Sequence, residues 1–411
     1  MNKFFTVLLA GLFVFAAAVP ASATDARLAS LAYGGNYLED DYNIFTWYGT
    51  LPSYSNMVWI GMQDLEWDEG DEMFYFMGAS YGLGEDGKYG TLAMFYYDYA
   101  PGLNPFGYSD GMWPGAGLFG WWLPSKFTMM YGYAMEKMSL GLYFSRADEM
   151  AKYTEDEESA EYKHAYTTFG AGLRFDLGEK AYMDVAADLS LASYKEEETS
   201  YGDINQDANK MYGFRARMFY EWNETITWVP YFNFRMFDFN LKADEEGFDY
   251  YGDKGMFLDF GLGANIKVNE DNLLLFAIEP YSYAKREPSD LPSGVSADLT
   301  MKVMPRFILG LESDVKDWLT FRAGAKKELT NWKMSYEETG EGKASVEYTY
   351  APFDFYMGLG FHVGDFDIDL LLNNEVPMHL GYWLTGYQQG DYYEGYNNEL
   401  PIYMITATYG F

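Results

Sequence analysis

The chain has 411 residues, of which 20% are aromatic, and it contains 42 Gly and no Cys. Its formal net charge of −34, from 62 acidic and 28 basic residues, argues against a nucleic-acid partner, whose phosphates would be repelled. The lack of Cys excludes a disulfide framework as the source of stability.

The first 23 residues have the features of a secretory signal peptide. Lys3 precedes an apolar stretch from Phe4 to Val19, and Pro20-Ala-Ser-Ala23 then provides a small-residue cleavage site. We therefore expect an exported protein that begins at Thr24. Beyond this stretch no apolar run approaches the roughly 20 residues that a membrane helix needs, so any membrane crossing must use strands.

Residues 24–55 are rich in Gly and turn residues and lack sustained alternation, which predicts a plug or a periplasmic lead-in segment. The order Ala32-Tyr-Gly34-Gly35 and then Asp40-Asp41 resembles the start of the fatty-acid-transporter-like outer-membrane barrels, a group that includes a component of one Gram-negative secretion system. Gly49-Thr-Leu-Pro52 stands where that family often has Asn-Pro-Ala-x-Leu. The resemblance implies a plugged barrel that takes up hydrophobic molecules, and its plug candidates are Gly34, Gly35, Asp40 and Asp41.

From Asn56 onward the chain alternates strand-like segments with turns. About sixteen segments have the period-two pattern and length of tilted membrane strands, and fourteen remain possible if two marginal segments belong to loops. The fold class predicted for residues 56–411 is all-β, a transmembrane antiparallel up-and-down β-barrel. The segments are 56–63, 71–83, 88–99, 126–134, 137–146, 165–177, 181–194, 211–223, 225–240, 255–268, 272–285, 297–314, 318–331, 347–363, 365–373 and 402–411.

The connections between these segments alternate between short and long. Short turns such as 178–180 and 364–365 are separated by longer polar connections, which are 64–70, 100–125, 147–164, 195–210, 241–254, 286–296, 332–346 and 374–401. Short periplasmic turns and longer extracellular loops are typical of bacterial outer-membrane barrels. The cell outer membrane is therefore the predicted location, with outer-membrane lipid and lipopolysaccharide as its surroundings.

The last segment, Ile402 to Phe411, alternates and ends on an aromatic residue. It is expected to pair with the first strand, because only a closed barrel leaves no unpaired edge in hydrocarbon. The ending also resembles the terminal strands of bacterial outer-membrane barrels, so we expect the barrel assembly machinery to engage the strand that ends in Phe411.

Charged residues fall on one face of the predicted strands, for example Arg174 opposite the apolar set Phe169, Ala171 and Leu173. An Arg or Lys that faced lipid at mid-membrane would cost roughly 2–4 kcal/mol, so the charged face is assigned to the lumen. The lumen candidates are Arg174, Asp184, Asp188, Arg215, Arg217, Glu221, Arg235, Asp259, Lys302, Arg306, Glu312 and Arg322. Their basic members form either an anion-attracting wall or a set of ion pairs with lumen acids.

Little in the chain indicates catalysis. The three His residues, at 164, 362 and 379, do not have metal-ligand spacing, and we expect no cofactor, no metal site and no enzymatic activity. The primary functional hypothesis is passive passage of an unidentified small solute. The alternatives are uptake of hydrophobic molecules through a plugged barrel and a structural or adhesive role at the cell surface.

Overall fold

The structure of the protein is a computed structural model. It describes residues 25–67, 70–97, 126–155, 158–198, 202–239, 242–243, 252–289, 295–338, 342–372 and 402–411. The predicted signal peptide 1–23, Thr24 and the predicted connections 100–125 and 374–401 lie outside these residues. Within the described ranges, no helix has both the length and the apolar character that crossing a membrane requires.

The chain forms a closed antiparallel barrel of sixteen strands, which confirms the predicted fold class and the higher strand number. Two further strands, β10 and β15, extend the sheet at one end. In chain order the strands are β1 Met57–Trp67, β2 Gly70–Gly82, β3 Thr91–Tyr97, β4 Lys126–Met135, β5 Met138–Glu155, β6 Glu158–Asp176, β7 Ala181–Glu198, β8 Gly202–Glu221, β9 Ile226–Phe239, β10 Lys242–Ala243, β11 Gly252–Asn269, β12 Asn272–Ser289, β13 Val295–Lys316, β14 Leu319–Glu338, β15 Gly342–Tyr350, β16 Phe353–Val363, β17 Phe366–Leu372 and β18 Ile402–Gly410.

The last strand closes the barrel by pairing on both sides. β18 is antiparallel to β17, with Tyr409 opposite Phe366, and antiparallel to β1, with Gly410 opposite Met57. β15 pairs with residues 330–338 of β14, and β16 pairs with residues 319–327 of β14 in the same register. Residues 351–352 separate β15 from β16. Every strand that crosses the barrel wall therefore has two neighbours, as lipid requires of its backbone groups.

The two ends of the barrel differ as the sequence predicted. One end has tight turns, such as those between β4 and β5 and between β16 and β17, and we call it the short-turn end. At the other, outer end, several predicted connections prove to be strand. β5 and β6 remain paired from Ala147 opposite Tyr166 out to Glu155 opposite Glu158, so most of the predicted connection 147–164 is paired strand. Polar composition concealed these ribbons, because both faces of a strand beyond the membrane meet water.

Residues 25–55, the inner segment, precede β1 and contain only short helices. They are α1 Asp25–Ser30 and the 3₁₀ helices η1 Gly34–Asn36, η2 Asp41–Phe45 and η3 Tyr48–Tyr54. Asp40 caps η2 by accepting a hydrogen bond from the backbone N–H of Tyr42 at 2.9 Å. A fourth 3₁₀ helix, η4 Glu85–Gly87, forms the turn between β2 and β3.

The lumen assignment of Lys302 is wrong. Lys302 is exposed, whereas its neighbours Met301 and Val303 are 6% and 1% exposed. Between Val303 and Arg306 the pairing of β13 with β14 shifts by one residue, and the side-chain alternation reverses there. Pro305 lies at this shift and cannot donate a ladder hydrogen bond, which is why a bulge is tolerated at this place.

The bulge predicts opposite reactivity for two adjacent positions. Because the chain has no Cys, Lys302→Cys and Val303→Cys each introduce a single thiol. A water-soluble maleimide added to the refolded barrel in lipid vesicles should label Cys at 302 rapidly and Cys at 303 slowly, since only the former side chain is exposed. Equal labelling, or faster labelling at 303, would contradict the reversed alternation.

Candidate functional site

The outer surface of the barrel wall is apolar. Large apolar side chains on successive strands point away from the interior, and the exposed fraction is 46% for Leu142, 48% for Phe169, 50% for Tyr212 and 51% for Leu309. Charged neighbours on the same strands, such as Arg217, are buried on the inside. A sheet with an apolar outside and ion pairs inside is adapted to lipid. The protein is an outer-membrane β-barrel.

The interior of the barrel is occupied by the inner segment. Trp47, Tyr37, Ile44 and Leu51 are each at most 1% exposed. They belong to one apolar cluster that also contains wall residues from β1, β3, β4, β5, β7, β8, β9, β12 and β13. Aromatic contacts fix several of these positions, and Tyr48 stacks on Tyr143 of β5 with ring centroids 4.8 Å apart.

Glycines on the inner face let the segment's backbone touch the wall directly. A Cβ atom at Gly141 of β5 would overlap the carbonyl of Tyr48, and one at Gly324 of β14 would overlap the backbone N of Ala32. These two positions lie on different strands, so the segment is in close contact with the wall at more than one side. Any side chain larger than hydrogen would push it away.

Arg217 of β8 anchors the segment from the wall. Its Nη1 donates hydrogen bonds to the carbonyl oxygens of Gly35 at 2.9 Å and Leu38 at 3.0 Å, and its Nε donates to Asp184 Oδ2 at 2.9 Å. The guanidinium also lies 4.6 Å from the ring centroid of Trp47. Arg217 is 1% exposed, so groups of the protein rather than water stabilise the cation.

Two more ion-pair groups connect the segment to the wall. Arg27 in α1 bonds Glu312 of β13 at 2.6 Å and Asp40 at 3.0 Å, and Arg322 of β14 shares Glu312. On the opposite wall Arg174 of β6 bonds Asp184 and reaches Glu39 at 2.7 Å. Charges from distant parts of the chain therefore neutralise one another where the segment meets the barrel.

The remaining predicted lumen residues are also mostly paired. Arg306 contacts Glu279 and Glu328, Arg215 contacts Asp188, and Asp259 accepts from the hydroxyl of Ser282 at 2.7 Å. Glu221 is exposed at the short-turn end. The basic residues of the interior are thus mainly held in ion pairs and do not form an unpaired basic wall.

Arg235 differs from its neighbours. It is half-buried on the inner face of β9, opposite Gly213, and no hydrogen bond or ion pair joins its guanidinium to another residue of the described part. Next to it an apolar cluster, packed against Trp332, covers the inner wall toward the outer end; its buried members are Met211, Phe237, Phe257, Ala284, Leu299 and Met301. A positive charge therefore borders an apolar surface.

The four residues predicted for the plug all lie inside the barrel. Gly34 is so close to Leu275 of β12 that a Cβ would overlap its side chain, and Gly35 similarly approaches Leu28. Asp40 is 2% exposed beside Arg27, and Asp41, fully buried, accepts a hydrogen bond from Trp59 Nε1 at 2.8 Å. Burial and the neighbouring Asp40 charge raise the pKa of Asp41 well above its ordinary value.

A cavity of about 820 Å³ lies between the inner segment and the short-turn end. The segment contributes Leu38 and Glu39 to its lining, and the wall contributes Arg174, Tyr182 and Glu221. Basic and acidic groups are both present, so the cavity favours neither sign of charge. It lies at the short-turn end of the barrel, beside the β4–β5 and β6–β7 turns.

The imidazole of His362 in β16 has hydrogen-bond partners at both ring nitrogens. His362 lies between Asp367, at 2.6 Å from its Nδ1, and Thr320, at 2.8 Å from its Nε2. The Thr320 hydroxyl donates its proton to Asp314 rather than to the imidazole, and Thr320 is 1% exposed, so no substrate reaches it. In the described ranges, no three His, Cys, Asp or Glu side chains are grouped as metal ligands.

Comparisons with known proteins find similarity in architecture only. No protein-family model matches the chain, and no curated protein matches it. Among solved structures, it is similar to the copper transporter OprC, with 12% identity, 77% of this chain and 66% of that chain covered, and a TM-score of 0.38. It is also similar to the ferric yersiniabactin uptake receptor FyuA from Yersinia pestis, with 9% identity, coverage of 87% and 80%, and a TM-score of 0.36. CdiB from Escherichia coli gives 8% identity, coverage of 87% and 63%, and a TM-score of 0.39.

Sequence reasoning missed several residues that matter inside the barrel. Arg27 and Glu39 lie in the turn-rich segment, and their partners Glu312 and Arg174 are far away along the chain. Leu275 and Ala277 of β12 point inward and are buried, whereas the sequence predicts that apolar side chains of the strands face lipid. Charge alternation cannot find such positions, because the inner face of the wall is itself apolar at many of its contacts with the inner segment.

Removing the Arg217 anchor should loosen the inner segment. In Arg217→Met the carbonyls of Gly35 and Leu38 lose a buried donor, and Asp184 keeps only Arg174. We expect a loss of about 3–5 kcal/mol in the free energy of unfolding, together with faster hydrogen exchange in residues 25–55. The control Arg146→Met removes an exposed ion pair with Asp148 and should cost less than about 1 kcal/mol. Equal effects of the two substitutions would contradict the anchoring role.

The buried Asp41 should make docking of the segment depend on pH. Because its pKa is raised in the folded protein, its contribution to stability is complete below the ordinary value of about 3.9 and is lost as pH rises through the raised value. Wild-type protein should therefore unfold at lower urea concentration at pH 8 than at pH 5. Asp41→Asn, which cannot ionise, should reduce this difference, whereas Asp317→Asn in an exposed turn should leave it unchanged.

Proposed function

We propose that this outer-membrane barrel transports a solute and that the inner segment closes it at rest. The observation that carries the proposal is the direct contact between the segment's backbone and the glycines of the wall, as at Gly141 and Gly324. Buried ion pairs and the Arg217 anchor hold the segment on both sides of the interior. Solute passage then requires the segment to move.

A barrel closed by its inner segment is favoured over a permanently open channel. A permanently open channel for small solutes needs an empty lumen, whereas Trp47, Tyr37 and Leu51 are buried in the interior. Passive passage remains compatible with the geometry only after the segment is displaced. The cavity of about 820 Å³ at the short-turn end provides an exit for a solute that has passed it.

Between the inner segment and the outer end of the barrel, the inner surface of the wall favours an apolar or amphipathic solute. Phe237, Phe257, Leu299 and Met301 form its apolar surface, and Arg235 offers a positive charge at the border. An apolar surface adds affinity through burial, and a single cation orients a negatively charged group. These features favour uptake of hydrophobic molecules over unselective passage of small polar solutes.

A disulfide between the segment and the wall tests whether the segment is the gate. A Cβ atom at Gly310 would lie 3.5 Å from the Cβ of Leu31, within the roughly 3.5–4.5 Å range of disulfides. Oxidised Leu31→Cys/Gly310→Cys protein in a planar bilayer should show no stepwise current. Reduction of the disulfide should make stepwise openings appear.

Each single-cysteine variant under the same oxidant is the matched control, and mass spectrometry verifies the cross-link. Unchanged currents in the cross-linked protein would contradict gating by the segment. Silence in the reduced protein as well as in a variant lacking residues 24–50, with the barrel folded, would favour the structural or adhesive role instead.

A further inference from the structure

The bulge in β13 brings lysines together on the outside of the barrel. Met301 and Trp332 belong to the apolar cluster of the inner wall, so the adjacent Lys302 and Lys333 point outward, and both are exposed. Lys302 lies opposite Asn331 on β14, and Lys333 lies opposite Thr300 on β13, which makes the two lysines diagonal neighbours. Their Cα atoms are then roughly 7–8 Å apart, within reach of one ligand.

Along the barrel, these two lysines lie at the level of the membrane–water interface on the side of the outer end. Lys302 lies opposite Tyr283 of β12, whose ring stacks on Tyr281 with centroids 6.1 Å apart. Toward the membrane, the exposed neighbours are apolar, with Met304 and Leu329 at 50% and 44% exposure. Aromatic belts of this kind mark the level of lipid headgroups.

The lysines are also electrostatically available. Within the described ranges neither Lys302 nor Lys333 forms an ion pair, whereas Lys285 nearby is paired with Glu287. Glu347, opposite Lys333, accepts a hydrogen bond from Asn331 at 3.0 Å. The chain as a whole carries a net charge of −34, so two cations without an ion pair at this boundary run against its overall charge.

We propose that Lys302 and Lys333 form a binding site for the phosphate groups of the outer-leaflet glycolipid, lipid A. The site faces the bilayer at headgroup level. A lipid with anionic headgroup phosphates can therefore contact both lysines while it stays in the membrane. Lysine ammonium groups bind phosphate as point charges, and each contributes to attraction of an anionic membrane surface. The bulge makes the site possible, because uninterrupted alternation would turn Lys302 into the lumen. The proposal is independent of solute transport.

The test compares two pairs of lysines for lipid retention. Purified wild-type barrel, Lys302→Gln/Lys333→Gln and the control Lys254→Gln/Lys343→Gln are reconstituted in phosphatidylcholine nanodiscs with diphosphoryl lipid A or its dephosphorylated form. The control lysines are exposed and near acids, Lys254 with Asp238 and Lys343 with Glu337, each at 3.6 Å. Native mass spectrometry then counts the lipid A molecules that remain bound.

The site predicts that wild type and control retain diphosphoryl lipid A and that the 302/333 variant binds it about tenfold to thirtyfold more weakly. Lys302→Arg/Lys333→Arg should retain it, and dephosphorylated lipid A should bind none of the proteins strongly. Equal retention by the 302/333 variant and wild type would overturn the proposal, as would an equal loss in the control pair. Complete release by 10 mM inorganic phosphate would show a general anion site and would likewise overturn it.

Discussion

A strand that crosses lipid needs a hydrogen-bonded neighbour on each side, and this requirement governs the whole chain. Pairing of β18 with β1 satisfies it for the first and last strands, and antiparallel pairing of neighbouring strands satisfies it for those between. Once the cylinder is closed, its inside is separated from lipid and, where the inner segment fills it, from bulk water as well. Everything placed there must then be packed or paired.

The inner segment meets this second condition in two ways. Its aromatic and apolar side chains pack against the wall, and its charges meet wall charges of opposite sign, such as Arg27 with Glu312 and Glu39 with Arg174. An unpaired buried charge would cost several kcal/mol, so each of these contacts also fixes the position of the segment. Displacing the segment exposes both partners of each ion pair. These pairs therefore hold the segment in the closed position that the gating proposal requires.

Much of the barrel was predictable from sequence because its rules are local. Period-two alternation predicted about sixteen strands, and charged residues such as Arg174 and Asp184 lie on the inner face. The prediction failed for Lys302, because a bulge between Val303 and Arg306 puts Lys302 out of phase with the inward residues that follow, and its only sign in sequence is a proline. It also could not find the partners of the inner segment. Arg27 and Glu312 are 285 residues apart, and only the three-dimensional path of the chain brings them together.

Direct contact between the backbone of the inner segment and the glycines of the wall limits which residues can change during evolution. At lipid-facing positions such as Leu142, one apolar side chain replaces another with little effect, because lipid adapts to either. At Gly141 even a methyl group meets the main chain of Tyr48, which cannot shrink in compensation. Related sequences should therefore vary widely outside, while the inner glycines and residues 47–49 change only together.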